Sequence, residues 1–257
     1  MEEQKKVIIA GIVFISLIAA AAIVYYFVIY SKPQEPEEAT PVVQEQPVVG
    51  EKVQPGEKVE PLDVSLEESD ELVRELAEEL SSHPRMAMWL MSDELIRKFV
   101  AAVDNIANGN SPEPHIDFFK PDKKFMVMDE AGDYFIDPES YKRYDIAAEV
   151  FASLDSKGCV TLYKKLKPAI QEAYKGLGYP EAEFDDTLKK AMMVLLQVPV
   201  VEQDIQLEKD VVTYTMVDSD LESLNAAQKH LLRMGPDNVR VIQEKLREMA
   251  GLLGSIE

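Results

Sequence analysis

The first apolar stretch of the chain runs without a charged residue from Val7 to Tyr30. As an α-helix, these 24 residues would be about 36 Å long, enough to cross a hydrocarbon core of about 30 Å. The apolar run continues past the small residues at 19–22, so it is too long for the apolar region of a cleaved signal peptide. The pattern predicts an uncleaved, single-pass transmembrane anchor over residues 7–30.

The next segment, residues 31–61, has no apolar period at all. It contains six prolines and seven glutamates, a composition that cannot bury a core. The pattern therefore predicts a disordered Pro/Glu-rich spacer. Its 31 residues would reach at most about 95 Å in polyproline II geometry, which would hold whatever follows away from the bilayer.

From residue 62 onward, apolar residues recur three or four positions apart, as in amphipathic helices. Ser69 and Ser92 are expected to cap the first two helices, and Gly158 is expected to end a later one. Pro168 is expected to kink or break the next helix, which contains it. The apolar spacing predicts helices over these segments: 69–80, 95–106, 147–154, 159–177, 188–195, 221–234 and 239–253.

Two other segments alternate in the manner of β-hairpins, residues 125–137 around Gly132 and residues 205–217 with a turn near Lys209. The domain 62–257 is therefore predicted to be compact and mainly α, with one or two short β-hairpins.

The stretch QKHLLRMGPDN, residues 228–238, allows two interpretations. In the first it joins two helices: Gly235 adopts a left-handed conformation, Pro236 begins the last helix, and His230 and Arg233 complement the preceding carbonyls. In the second, His230, Arg233 and Asn238 form a weak candidate site for an anionic ligand at the amino end of the last helix. The joint is favoured, and the anion site stays open.

Charge orients the chain and excludes some partners. Lys5 and Lys6 precede the anchor, so residues 1–6 are expected in the cytoplasm and the domain on the outer side, in the periplasm of a bacterium with two membranes. The whole chain has a formal net charge of −20, and the domain alone, with 22 Lys and Arg against 38 Asp and Glu, carries −16. Such a surface repels phosphate backbones, so nucleic acid is not an expected partner.

Sequence signatures of catalysis are absent. The chain lacks HExxH, GxSxG, SxxK, CxxC, GxxxxGK and GxGxxG. Its three histidines lie far apart, without a second ligand at metal-binding spacing, so neither a metal nor a cofactor is expected. The single cysteine, Cys159, is expected to be buried rather than reactive.

Five segments together resemble an uncharacterised bacterial family, catalogued as a domain of unknown function. The resemblance implies one N-terminal span, a Pro/Glu-rich spacer and a mostly helical domain that includes an LLRMGP-type joint, but it implies no activity and no catalytic residues. The segments, in order, are LIRKFVAAVDNIANGNSP, YFIDPESYKRYD, SLDSKGCVTLYKKLKPAIQEAYKGLGYP, VPVVEQDIQL and QKHLLRMGPDN.

These observations favour a non-catalytic protein in the bacterial inner membrane, anchored through residues 7–30. Its domain would act as an adaptor or assembly module that binds another envelope protein or a wall component. The alternative is a periplasmic hydrolase that acts on a wall polymer through scattered carboxylates.

Overall fold

The computed structural model describes residues 59–116, 120, 121 and 123–254. The chain divides into two units, Met1–Pro55 and Gly56–Glu257, and all described residues belong to the second. None of the helices in the described ranges is long and apolar enough to cross a membrane. The predicted anchor lies outside these residues, as does the predicted spacer except for residues 59–61.

The described domain is mainly α, as predicted. Short 3₁₀ turns lie at Leu66–Glu68, Glu113–His115 and Lys142–Tyr144. The α-helices are α1 (Ser69–Glu78), α2 (Met86–Trp89), α3 (Leu95–Ala107), α4 (Pro138–Tyr141), α5 (Asp145–Ala152), α6 (Ser156–Gly176), α7 (Phe184–Leu196), α8 (Ser219–Glu222), α9 (Ala226–Leu232) and α10 (Pro236–Leu253).

The amino end of α3 is capped from another helix. The Asp70 carboxylate, on α1, accepts hydrogen bonds from the backbone N–H groups of Glu94 and Leu95 at 2.6 and 2.9 Å. The predictions that Ser92 caps α3 and Ser69 caps α1 are wrong. The Ser92 carbonyl instead accepts a hydrogen bond from Arg74, and Ser69 is the first residue of its helix, where its hydroxyl donates to the Leu66 carbonyl.

Both predicted hairpins are present, and they join into one sheet. Strands β1 (Val127–Glu130) and β2 (Asp133–Ile136) form the first hairpin, and β3 (Gln206–Lys209) and β4 (Tyr214–Met216) form the second. The order is β1-β2-β3-β4, antiparallel throughout, and Tyr134 pairs with Leu207 across the central strands. This contact brings together segments about 70 residues apart.

The helix boundaries from 145 to 176 differ from the prediction. Helix α5 ends at Ala152, and Asp155 caps α6 by accepting a hydrogen bond from the Gly158 N–H at 2.9 Å. Gly158 therefore lies in the first turn of α6 instead of ending α5. Helix α6 also continues through Pro168, so of the predicted kink or break the break is absent.

The predicted helix over 221–234 is two helices. Asn225 ends the link between α8 and α9 and forms a reciprocal capping box with Gln228, in which each side chain accepts from the other residue's backbone N–H. Asn225 also packs against Gly109, whose carbonyl accepts a hydrogen bond from the Ala227 N–H. The cap thus fixes α9 against the carboxyl end of α3.

The buried apolar residues form three clusters. The first joins α1, α3, α6 and α7 around Val100 and Phe184. The second joins the sheet to α5, α9 and α10 around Ile136 and Val239. The third is smaller and joins α7 to the carboxyl half of α10.

The joint between α9 and α10 depends on a glycine. Gly235 has φ 87° and ψ 163°, so its φ is positive as predicted, but ψ is extended and the conformation is not the left-handed helical one. This region is accessible almost only to glycine. A Cβ on Gly235 would also lie 2.4 Å from Cγ of Tyr141, the last residue of α4. Pro236 begins α10, as predicted.

We expect Gly235→Ala to lower the free energy of unfolding by about 2–5 kcal/mol, because it adds backbone strain and a collision with Tyr141. Urea denaturation measures the loss. Gly178→Ala is the matched control, because Gly178 also has a positive φ, 106°, but no atom lies within 4 Å of the position that its Cβ would occupy. A loss at Gly235 no greater than at Gly178 would contradict the role given to Tyr141.

Candidate functional site

A cavity of about 400 Å³ lies among the helices and is partly open to solvent. Helices α3, α5, α6, α7, α9 and α10 all contribute to its walls, which are almost entirely apolar. We call it the larger cavity. Its lining includes Val103, Ile106, Ala147, Phe151, Val160, Leu188, Ala191, Met192, Leu195, Ala227, Leu231, Ile242, Leu246 and Met249.

Small residues leave this space between the helices. Ala147, Ala191 and Ala227 are buried residues of α5, α7 and α9 that line the larger cavity. A methyl group at these positions covers the helix backbone but does not reach across to the opposite wall. Among the described residues, these small side chains account for part of the space between the helices.

A second cavity of about 360 Å³, the smaller cavity, lies beside the first. Its apolar walls come from α1, α3 and α6 and include Val73, Leu80, Leu95, Ile96, Leu162, Leu166 and Ile170. Four residues line both cavities, and we call them the shared wall: Phe99, Ile116, Cys159 and Tyr163.

The shared wall is held in place by an ion pair. The Tyr163 hydroxyl donates a hydrogen bond to the Asp185 carboxylate on α7, and Lys167 Nζ lies 2.7 Å from the other oxygen of Asp185. Burial, and then the bond to Asp185, raises the pKa of Tyr163. Burial alone would raise the pKa of Asp185, but the bonds from Lys167 and Tyr163 outweigh it, and the pKa is lowered. Tyr163 is thus a neutral donor that fixes α6 to α7.

Cys159 is half-buried, not fully buried as expected, and lines both cavities. Burial raises the pKa of Cys159 to about 11, and the nearby Asp155 carboxylate adds to the effect. The thiolate is the nucleophile, so a raised pKa is opposite to what a reactive cysteine needs.

His230, from the candidate anion site, lies instead at the larger cavity. Its Nδ1 is 3.4 Å from the Ser111 hydroxyl, and its ring meets that of Tyr144 edge to face at a centroid distance of 6.1 Å. Burial lowers the pKa of His230; the Glu113 carboxylate opposes this shift and the Arg233 guanidinium adds to it.

Asn238 bonds through its side-chain amide to residues around the joint between α9 and α10. It is 8% exposed, and its Nδ2 donates to the Met234 carbonyl, the Asp145 carboxylate and the Tyr141 carbonyl at 2.9, 3.0 and 3.3 Å. Arg233 is half-buried at the end of α9 and acts at long range on His230 and Glu222. The donors of Asn238 are thus bonded to protein acceptors, and an anion site at His230, Arg233 and Asn238 stays a prediction.

Sequence reasoning missed the two basic residues that line the smaller cavity, Lys98 and His115. Lys98 lies between Ile96 and Phe99, next to Arg97, within the apolar pattern of α3, where a lysine is usually assigned to the solvated face. The sequence did contain a signal for Lys98, because the apolar residues of α3 cover a wide face of the helix. They stand at positions 95, 96, 99, 100, 103 and 106.

Acidic residues do not line either cavity among the described residues. Likewise, residues 59–116 and 123–254 contain no group of three or more His, Cys, Asp or Glu side chains placed to hold a metal ion. The site is therefore a pair of apolar cavities with a few polar groups, Tyr163, His230, Lys98 and His115, and such cavities bind apolar molecules or the apolar parts of larger ones.

Comparison with known proteins places the chain in a family. Residues 95–250, more than half of the chain, match the family described as Protein of unknown function (DUF3014). The chain belongs to this family. The matched segment contains most of the residues that line the two cavities. No curated protein and no solved structure matches the chain.

The low pKa of His230 predicts a pH dependence of stability. The unfolded chain takes up a proton on this residue near pH 6.5, while the folded protein does so only at lower pH. Stability is therefore lost as the pH falls below about 6.5, until the folded-state pKa is reached. We expect the wild type to lose more unfolding free energy than His230→Gln between about pH 7.5 and 5, measured by urea denaturation. Equal losses in the two proteins would contradict the prediction.

Proposed function

We propose that this member of the DUF3014 family is a non-catalytic binding module of the bacterial envelope, tethered to the inner membrane. Its helical domain takes up the apolar part of an envelope molecule. The observation that carries this proposal is the pair of adjacent apolar cavities with a shared wall.

The cavity volumes suit a small ligand. Sites for small molecules typically have volumes of about 300–1,000 Å³, and the two cavities measure about 400 and 360 Å³. An engineered apolar cavity of about 150 Å³ holds one benzene, so the larger cavity has room for roughly 16 carbon atoms. This size matches a hydrocarbon chain or a small ring system.

The lining favours an apolar ligand over a wall polymer. Glycans are polar, and glycoside hydrolases need two carboxyl groups roughly 5–10 Å apart across the bond that they cleave. No described residue that lines the cavities is acidic. The lining thus offers no support for the hydrolase alternative, and the binding of an apolar group replaces the wall component as the proposed role.

Features of the sequence support the tether. Residues 7–30 would cross the inner membrane, Lys5 and Lys6 would keep residues 1–6 in the cytoplasm, and residues 31–61 would carry the domain into the periplasm. Molecules with hydrocarbon chains are abundant at the periplasmic face of that membrane.

A second candidate function is the adaptor that binds another envelope protein. The turn between β3 and β4 favours it, because Val211 and Val212 there are 92% and 88% exposed. Two adjacent exposed valines at a hairpin tip are suited to insertion into an apolar groove of a partner. This function and ligand binding involve different surfaces and are compatible.

A cavity-filling substitution tests the binding proposal. Cys159 lies in the shared wall, so Cys159→Phe places a ring in the space that a ligand would occupy, while Cys159→Ala leaves that space open. We expect a photoreactive fatty alcohol to label the wild type and Cys159→Ala equally, and Cys159→Phe at least about fivefold less. Mass spectrometry of full-length protein in zwitterionic lipid nanodiscs measures the yield.

The neutral alcohol is used because it tests apolar binding without regard to charge. Thermal melting of each variant shows whether the domain is still folded. Equal labelling of a folded Cys159→Phe protein, or labelling spread evenly over the domain surface, would contradict the proposal.

A protease experiment tests the tether. If the domain is periplasmic, protease added to intact spheroplasts digests residues 62–257 and leaves a short fragment that contains the anchor. Immunoblotting with tags at the two ends of the chain measures the products. A domain that is protected until the cells are lysed would contradict the proposed orientation.

A further inference from the structure

The smaller cavity has a charge pattern that differs from the rest of the domain. The domain has 38 Asp and Glu residues against 22 Lys and Arg, yet the described residues that line this cavity include Lys98 and His115 and no carboxylate. The other ionisable residues among the described part of the lining are Cys159 and Tyr163, which are neutral. The surface of the cavity is almost entirely apolar, so Lys98 and His115 line it mainly through their carbon atoms, and an anionic head group would meet their nitrogens at its edge.

Lys98 differs from its neighbouring basic residues in its partners. Arg97 lies within 4 Å of both Glu67 and Glu94, and Arg74 lies at a similar distance from Asp70 and Asp93. Within the described part of the chain Lys98 forms no such ion pair, and its ammonium donates to the Ser92 hydroxyl. A half-buried lysine that lies at an apolar cavity and donates to a neutral hydroxyl retains two N–H donors for an incoming anion.

His115 lines the same cavity as Lys98 but comes from a different element. It ends the 3₁₀ turn Glu113–His115, which packs against α3, and its side chain also lines the smaller cavity. An imidazole can donate a hydrogen bond to an anion in either protonation state. The two residues thus supply donors from two different elements.

We infer that the ligand is a single-chain anionic amphiphile, with its hydrocarbon chain in the smaller cavity against the shared wall and its carboxylate or phosphate at Lys98 and His115. This inference rests on the proposed function and adds the charge and orientation of the ligand. By the benzene comparison, the smaller cavity accommodates roughly 14 carbon atoms. Each methylene that enters it tightens binding about fourfold.

The test compares two photoreactive probes of equal chain length, a fatty acid and the matching fatty alcohol, on full-length protein in zwitterionic lipid nanodiscs. We expect the acid to reach half-saturation at a roughly tenfold lower concentration than the alcohol. A charge-assisted hydrogen bond at a half-exposed site increases affinity by about this factor. Peptide mapping should place the label of both probes near Cys159 and Tyr163.

Substitutions assign the preference to Lys98. Lys98→Gln is expected to reduce the tenfold preference for the acid to within about twofold, without changing the half-saturation concentration of the alcohol. His115→Gln is expected to reduce the preference only in part. Lys98→Arg, which keeps the charge, should retain most of the preference. Arg97→Gln is the matched control, because Arg97 is the adjacent cation on α3 but does not line the cavity. This substitution should leave the half-saturation concentrations of both probes unchanged.

Unlabelled tetradecanoate and a lysophosphatidic acid of the same chain length serve as competitors and distinguish a carboxylate head from a phosphate head. Stronger competition by either anion than by tetradecanol supports the inference. Equal binding of acid and alcohol, or equal weakening of both by Lys98→Gln, overturns it and leaves apolar binding intact. Failure of the alcohol itself to label the cavity would instead contradict the proposed function.

Discussion

The arrangement of the last helices depends on side-chain amides that satisfy the carbonyl groups at the end of α7. The final carbonyls of a helix have no partner within it. Gln228, on α9, donates to the carbonyl of residue 194, and Gln243, on α10, donates to those of residues 195, 196 and 198 at 2.8–3.3 Å. A buried polar group left without a partner costs about 1–3 kcal/mol. These bonds therefore fix α9 and α10 against one end of α7, and among the described residues no buried side-chain nitrogen or oxygen lacks a partner.

That fixed spacing explains why the larger cavity persists. Helices that met only through apolar side chains could move together and close a gap left by three alanines. Here the amides hold the helix ends at hydrogen-bonding distance, and the gap remains. A closed, unfilled apolar cavity of 400 Å³ would cost about 10 kcal/mol at about 24 cal/mol per Å³, which is as large as the whole stability of an ordinary domain. A chain that keeps such a space has to open it to solvent or fill it with a ligand, and the cavity is partly open.

The sequence predicted the hairpins and most of the helices, and it missed helix caps of two kinds, the local caps at Asp155 and Asn225 and the distant cap from Asp70. Both hairpins and the Pro236 start of α10 follow from residues within a few positions of each other. The cap of α3 could not be found in this way, because Asp70 lies 24 residues before the N–H that it binds. The cavities are lined by residues from most helices of the domain. In the sequence, an apolar residue that lines a cavity has the same pattern as one that packs in the core.

The acidic surface and an anionic ligand are compatible, because net charge and local charge act over different distances. At physiological ionic strength, exposed charges more than about 8 Å apart are largely screened from each other. The domain's excess of carboxylates therefore acts against polyanions such as nucleic acid, which must approach many surface carboxylates at once. A single anionic head group interacts mainly with the groups within a few ångströms. At the smaller cavity those groups include Lys98 and His115, and no described acidic residue lines that cavity. The same sequence can thus exclude nucleic acid and admit a single-headed amphiphile.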